Sequence, residues 1–178
     1  MTSLNIIKEI EEITSIVILM PGVQYPRVTL DVARQLSGER VCYVTLNKTF
    51  RSIDALFSKN NIRARNFFFI DAISKSFTES APEENRCQLI TPGSLTEMSL
   101  VINEVLKAGF DYIIFDSVTN LLVYQKQTDV LRFIIDLVNK TKQTQTKMIM
   151  YAVQEEEALL RKICVAVDKC ITIEGTGI

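Results

Sequence analysis

Histidine is absent from all 178 residues, and with it go the commonest general base at neutral pH and a common metal ligand. A Ser–His nucleophile pair is excluded for the same reason. The four cysteines, Cys42, Cys87, Cys164 and Cys170, include no CxxC pair. Each falls in or beside an apolar run, the pattern of buried free thiols in a reducing compartment. No Cys/Asp/Glu grouping has metal-ligand spacing, and neither GxSxG nor GxGxxG occurs. Excess charge of one sign is missing too: the formal net charge is -1, so composition calls for no nucleic-acid partner. No apolar run approaches the roughly 20 residues that span a bilayer, so no membrane partner is expected. Acidic residues in the first dozen positions and the lack of a cleavage-like pattern argue against a signal peptide. The expectation is one cytoplasmic domain over residues 1–178, long enough to bury a sizeable core.

What is there is alternation. Apolar side chains at Leu4, Ile6, Ile7, Ile10 and Ile13 give residues 1–13 a helix packed on the domain edge, or a helix that docks a partner. Strands are predicted at 15–20, 41–46, 66–70, 87–90, 112–115, 147–153 and 170–174. Helices are predicted at 26–37, 50–59, from the Ser94–Glu97 capping box to Ala108, from Thr128 or Asp129 onward, and at 155–165. The glutamates at 155–157 open the last of these, where they complement the positive end of the helix macrodipole. Residues 74–86 and 119–127 read as loops. Strand alternating with helix predicts an α/β three-layer sandwich with a mainly parallel sheet and right-handed crossovers.

The stretch that organises the chain is DYIIFDSVTNLL, residues 111–122. Bulky apolar residues from Tyr112 to Phe115 suit a strand buried on both faces, and Asp116 stands at its carboxyl end, where open α/β sheets bind ligands. The other place for chemistry is the loop after the first strand, Met-Pro-Gly-Val-Gln-Tyr-Pro-Arg-Val-Thr-Leu, residues 20–30. A phosphate-binding loop needs glycines whose amides wrap the phosphate, a lysine for the β/γ-phosphates, and a Ser or Thr for Mg²⁺.

The order of these parts (buried strand, Gly-containing loop, helix with Thr29-Leu30, then FDSVTNLL and a final KMIMYAV strand) resembles the RecA/RadA and KaiC-like ATPase superfamily over nearly the whole chain. The resemblance implies a RecA-like core with a P-loop. Members carry GKTTL where this chain has Pro26-Arg27-Val28-Thr29-Leu30. In that register Arg27 stands at the lysine position, Val28 at the Mg²⁺ hydroxyl, and Pro26, which has no amide hydrogen, replaces a glycine. Sliding by one residue restores Thr29 as the hydroxyl and puts Val28 at the lysine. Tyr25 adds bulk where the loop should be open. The glutamate that the family tends to place after the second strand is Asn47-Lys48 here. Asp116 and Ser117 match the family pattern.

The expected function is therefore a pseudo-ATPase: a degenerate Walker A motif, no catalytic residue, no cofactor and no metal, acting as a regulatory or protein-interaction module through a protein partner or self-association. The alternative keeps ATP with Mg²⁺ bound without efficient hydrolysis, on Gly22, Arg27, Thr29, Asp116 and Ser117. A third reading is a recombinase-like accessory that binds DNA through Lys59, Arg63 and Arg65 with Phe67 to Phe69 nearby; those rings also suit a buried strand. Asp116 has a second reading as a turn cap, and Arg27 as a solvated helix-start residue. Asp71, Asp111 and Asp168 read as turn formers.

Overall fold

The computed structural model describes residues 4–77, 85–153 and 157–174. Its strands are β1 (Ser15–Met20), β2 (Val41–Thr45), β3 (Phe67–Asp71), β4 (Cys87–Leu89), β5 (Tyr112–Asp116), β6 (Lys147–Val153) and β7 (Lys169–Thr172). Its helices are α1 (Ile6–Glu9), α2 (Tyr25–Gln35), α3 (Phe50–Lys59), α4 (Leu95–Lys107), α5 (Gln127–Thr141) and α6 (Glu157–Ala166). The strands form one seven-stranded sheet in the order β4-β3-β2-β5-β6-β1-β7. Every pairing in it is parallel.

That order sorts the helices. From β1 to β4 the chain steps one way across the sheet; from β4 to β7 it steps back. Right-handed crossovers then put α2 and α3 on one face and α4, α5 and α6 on the other. The two buried cores follow this division. One holds Val28 and Val32 of α2 with Ile53 and Phe57 of α3; the other holds Met98, Ile134 and Ile163 of the opposite helices. β5 feeds both by strict alternation: Tyr112 and Ile114 face α2 and α3, while Ile113 and Phe115 face away.

An aromatic cluster fills the α3 side. Phe57 meets Tyr43 edge-on at 5.9 Å between ring centroids and Phe67 at 5.9 Å, and Phe50 meets Phe69 at 4.9 Å. Phe67 and Phe69 are buried, which removes them as a platform for stacking bases.

Several expectations are corrected. The first helix covers only Ile6–Glu9, capped by the Asn5 side chain, and Lys147 Nζ donates to the carbonyls of Ile10 and Glu11, both at 2.6 Å, just beyond it. Ile6 and Ile10 are nonetheless fully buried, and the Gln35 side chain holds the segment by accepting from Ile6 N at 2.8 Å and donating to Leu4 O at 2.7 Å. α2 starts one residue early, at Tyr25, which leaves Pro26 in its first turn, and the fifth helix starts at Gln127. Residues 118–123 form a 3-10 helix instead of an irregular loop; the apolar pair Val118 and Leu121, three apart, eclipse on its inner side and are fully buried. Cys164 and Cys170 are paired in a disulfide between the last turn of α6 and β7, their Cα atoms 5.4 Å apart. Cys42 is buried, as expected of it, and Cys87 half-buried. Positions 155 and 156 of the acidic run lie outside the described residues. Among the described residues no helix is long and apolar enough to cross a membrane.

The turn after β5 docks on Gly93, whose φ is +71° and whose carbonyl accepts from Gln125 Nε2 at 2.7 Å. A Cβ at this position would lie 2.3 Å from Tyr124 Cβ. Left-handed backbone disfavours alanine by roughly 1–2 kcal/mol, and this contact adds to it. Gly93→Ala is expected to destabilise the fold by about 2 kcal/mol, a Tm drop of about 4–8 °C in a thermal melt.

Candidate functional site

The register places Asp116 opposite Thr45 of β2, and its parity with Ile114 aims it at the α2 side of the sheet. On that side Tyr43 of β2, Tyr151 of β6 and Tyr25, the first residue of α2, converge on it. Asp116 is 1% exposed. Its Oδ1 accepts from the Tyr25 hydroxyl, and its Oδ2 accepts from the Tyr43 hydroxyl at 2.5 Å. Asn47 Nδ2 donates to the Tyr25 hydroxyl at 2.6 Å and, more distantly, to Asp116 Oδ1 at 3.3 Å. The Lys48 ammonium lies over the Tyr25 ring, 5.2 Å from its centroid. The Tyr25 and Tyr151 rings meet edge-on at 6.5 Å. Among the described residues, Asn47 Oδ1 and the Tyr151 hydroxyl are buried without a hydrogen-bond partner.

Electrostatics follow from this enclosure. Burial raises the Asp116 pKa above its ordinary value; the hydrogen bonds from Tyr25 and Tyr43, the Lys48 charge and the Asn47 amide pull against it without cancelling it. Burial, followed by the nearby Asp116 charge, also raises the pKa of Tyr25, Tyr43 and Tyr151. All three phenols are therefore neutral at physiological pH, and two of them serve as donors to the carboxyl group. A carboxylate offers about four lone-pair positions. Here two hydroxyls and an amide occupy most of them.

Of the five residues the sequence offers for nucleotide binding, only Asp116 and its neighbour Ser117 sit at this point. The peptide between them is cis, and the Ser117 hydroxyl turns to Thr119 Oγ1 at 2.9 Å and to Asn120 Oδ1. Gly22 lines a shallow cavity of about 350 Å³ beside Tyr25, Asn47, Asn120 and Val123. Thr29 is 6% exposed and spends its hydroxyl on its own helix, donating to Tyr25 O at 3.0 Å and Pro26 O at 3.2 Å. Arg27 points elsewhere: Nε donates to Gln24 Oε1 at 3.0 Å and Nη1 pairs with Asp31 at 3.5 Å. It lines a different cavity, about 680 Å³, between α2, α1 and the end of β7.

The other strand-end acids divide: Asp71 builds a turn, while Asp111 and Asp168 tie together segments far apart in sequence. Buried Asp71 accepts from Phe50 N at 2.7 Å, Ile73 N at 2.8 Å and Ser74 N at 2.8 Å, which ties the start of α3 to the end of β3. Asp111 accepts from Arg40 N at 2.8 Å. Sequence reasoning missed Tyr43 and Tyr151. The signal was present: each is a phenol inside an otherwise apolar run, and a buried tyrosine hydroxyl usually needs a partner.

No protein-family model and no curated protein matches this sequence. Among solved structures, the chain is similar to a KaiC-like protein from the hyperthermophilic archaeon Pyrococcus horikoshii. The TM-score is 0.62 over 93% of this chain and 74% of that chain, at 10% sequence identity. The likeness is one of fold: a parallel α/β sheet of the KaiC-like, RecA type.

Proposed function

We propose that this chain is a non-catalytic domain of KaiC-like fold, a pseudo-ATPase that works as a regulatory module through protein contacts or self-association. The observation that carries this reading is the Tyr25 hydroxyl on Asp116, where a Mg²⁺-nucleotide needs an open carboxylate oxygen. The surrounding parts agree with it. Pro26 supplies no amide hydrogen, the Thr29 hydroxyl is held by helix carbonyls, and Arg27 is committed to Gln24 and Asp31. The residues present do not fit a Mg²⁺-nucleotide, and positioning plus electrostatics is nearly all of phosphoryl-transfer catalysis. The rim of this end of the sheet carries exposed apolar side chains: Val23 is 82% exposed and Val123, which lines the cavity beside Tyr25, is 75% exposed. Exposed apolar side chains around a closed-off site suit a protein contact better than a triphosphate.

The test is a thermal melt with ATP and Mg²⁺, alongside a hydrolysis assay. A ligand present at 100 times its Kd stabilises the native state by about 2.7 kcal/mol, which is about 5–10 °C for a domain of this size. The expected shift is below about 1 °C, with phosphate release at background. A shift of several degrees that Tyr25→Ala enlarges would mean the tyrosine competes with a bound nucleotide, and the reading fails.

A further inference from the structure

At the opposite end of the sheet, where the chain enters β3, three arginines line one cavity of about 380 Å³ together with Ser58 and Asp54 of α3. The backbone there is fixed. Ile62 and Ala64 are buried, Ile62 N donates to Phe57 O at 2.9 Å, and Phe67 N donates to Ala64 O at 3.1 Å. Burying alternate residues leaves Arg63 and Arg65 exposed on the same rim. Arg86 is anchored between them and α3: Nη1 donates to Ala64 O at 2.9 Å, Nη2 pairs with Asp54 at 3.2 Å, and the guanidinium lies 5.7 Å from the Phe50 ring centroid. Asp54 is thus matched by Arg86. Among the described residues neither Arg63 nor Arg65 makes a hydrogen bond or ion pair.

We infer that this cavity binds a phosphate group, with Arg63 and Arg65 as its contacts and Arg86 holding the floor. Among the described residues Arg86 and Asp54 offset each other, and the exposed guanidinium groups of Arg63 and Arg65 leave positive charge that suits a phosphate dianion better than a single carboxylate. The planar fork of arginine reads phosphate oxygens two at a time, and the Ser58 hydroxyl at the same wall adds a donor. The site is concave and of a size for a small phosphorylated group, at the low end of ligand pockets. It shares no residue with the Asp116 end of the sheet and stands independently of the reading proposed for that end.

The source of the phosphate, a free ester or a nucleic-acid backbone, is separated by two probes. Inorganic pyrophosphate is titrated into the full chain by calorimetry, and a short single-stranded oligonucleotide is titrated in parallel. Saturable pyrophosphate binding is expected, weakening as salt rises. Loss of one charge-assisted contact weakens binding roughly tenfold, so R63Q/R65Q is expected to weaken it by about 100-fold, and Arg63→Lys with Arg65→Lys by less. Both positions are exposed, so an unchanged melting curve for the double variant separates lost binding from lost fold. Oligonucleotide binding that pyrophosphate displaces, and that R63Q/R65Q removes, assigns the site to a phosphodiester. If neither probe binds, or if the double variant binds either as tightly as the parent chain, the inference is overturned.

Discussion

Asp116→Ala is expected to lower the melting temperature by about 10 °C while leaving nucleotide hydrolysis at the background already expected of the parent chain. The substitution strips the acceptor from two phenols and an amide at a position 1% exposed to solvent. Each buried donor left without a partner costs about 1–3 kcal/mol. Tyr25, at the helix start, can turn outward; Tyr43, fully inside β2, cannot. A total near 4 kcal/mol follows, and each kcal/mol moves Tm by about 2–4 °C at this chain length. Replacing both sides of the bond should restore much of the loss, so Asp116→Leu combined with Tyr43→Phe is expected to melt above Asp116→Ala. An acid retained for metal chemistry behaves the other way: its removal abolishes activity and spares the fold. An Asp116→Ala melt within about 2 °C of the parent removes the structural role assigned here.

The pH dependence carries a sign. Because the folded-state pKa of Asp116 is raised above 3.8, the part of its contribution that depends on protonation is fully present below that value and is lost as pH rises through the folded-state pKa. Asp116→Asn, which imitates the neutral acid, is expected to flatten that loss. Melts of parent and Asp116→Asn should therefore converge at low pH and separate as pH rises.

Much of this was legible from the sequence where one physical cause acts alone. Apolar runs bounded by turn residues placed β1, β5 and β6, and alternation with helices gave the parallel layered sheet, because a strand buried on both faces admits few other patterns. The position of Asp116 at a strand end was legible too. What Asp116 does was not, since its partners come from three separate elements: Tyr25 from α2, Tyr43 from β2 and Asn47 after it. Their meeting depends on strand order, which puts β5 beside β2 although nearly 70 residues separate them. In the sequence Tyr25 is only bulk in a loop that should be open; in the fold its hydroxyl closes the acid. The direction of Arg27 could have been found, because Asp31 lies four residues on and such pairs meet on a helix surface. The Cys164–Cys170 pairing could not, because helix α6 turns into β7 between them and only the turn brings them within reach. The basic stretch around Arg63 is visible in the sequence, and so is the buried strand that its neighbouring phenylalanines form; the cavity it lines is not. Phe67 and Phe69 are core, and the residue that shares the cavity is Arg86, beyond β3.

Asp168→Ala is expected to lower Tm by about 6–12 °C at pH 7, and this difference is expected to shrink in acid. Asp168 lies between α6 and β7 and ties that end of the chain to the entry of β1. Its Oδ2 accepts from Thr14 N at 3.1 Å, Thr14 Oγ1 at 2.8 Å, Ser15 N at 3.0 Å and Ser15 Oγ at 3.0 Å, and its Oδ1 pairs with Lys142 at 3.0 Å. Ser15 is fully buried, so its donors cannot turn to bulk water instead. Losing this hub costs about 3 kcal/mol if two of the donors are stranded, hence the Tm estimate. Burial alone would raise the Asp168 pKa, but the bonds from Thr14, Lys142 and Ser15 outweigh it and hold the carboxyl well below the usual range. Its stabilising contribution is therefore present above 3.8 and is lost as pH falls through the depressed folded-state value. The parent chain should approach the variant between about pH 4 and pH 2, the opposite slope from the one assigned to Asp116. Melts of both chains at pH 7, 4 and 2 check it; a Tm gap that stays constant across that range means the stabilisation comes from packing at the β1–β7 edge and not from the ionised carboxylate.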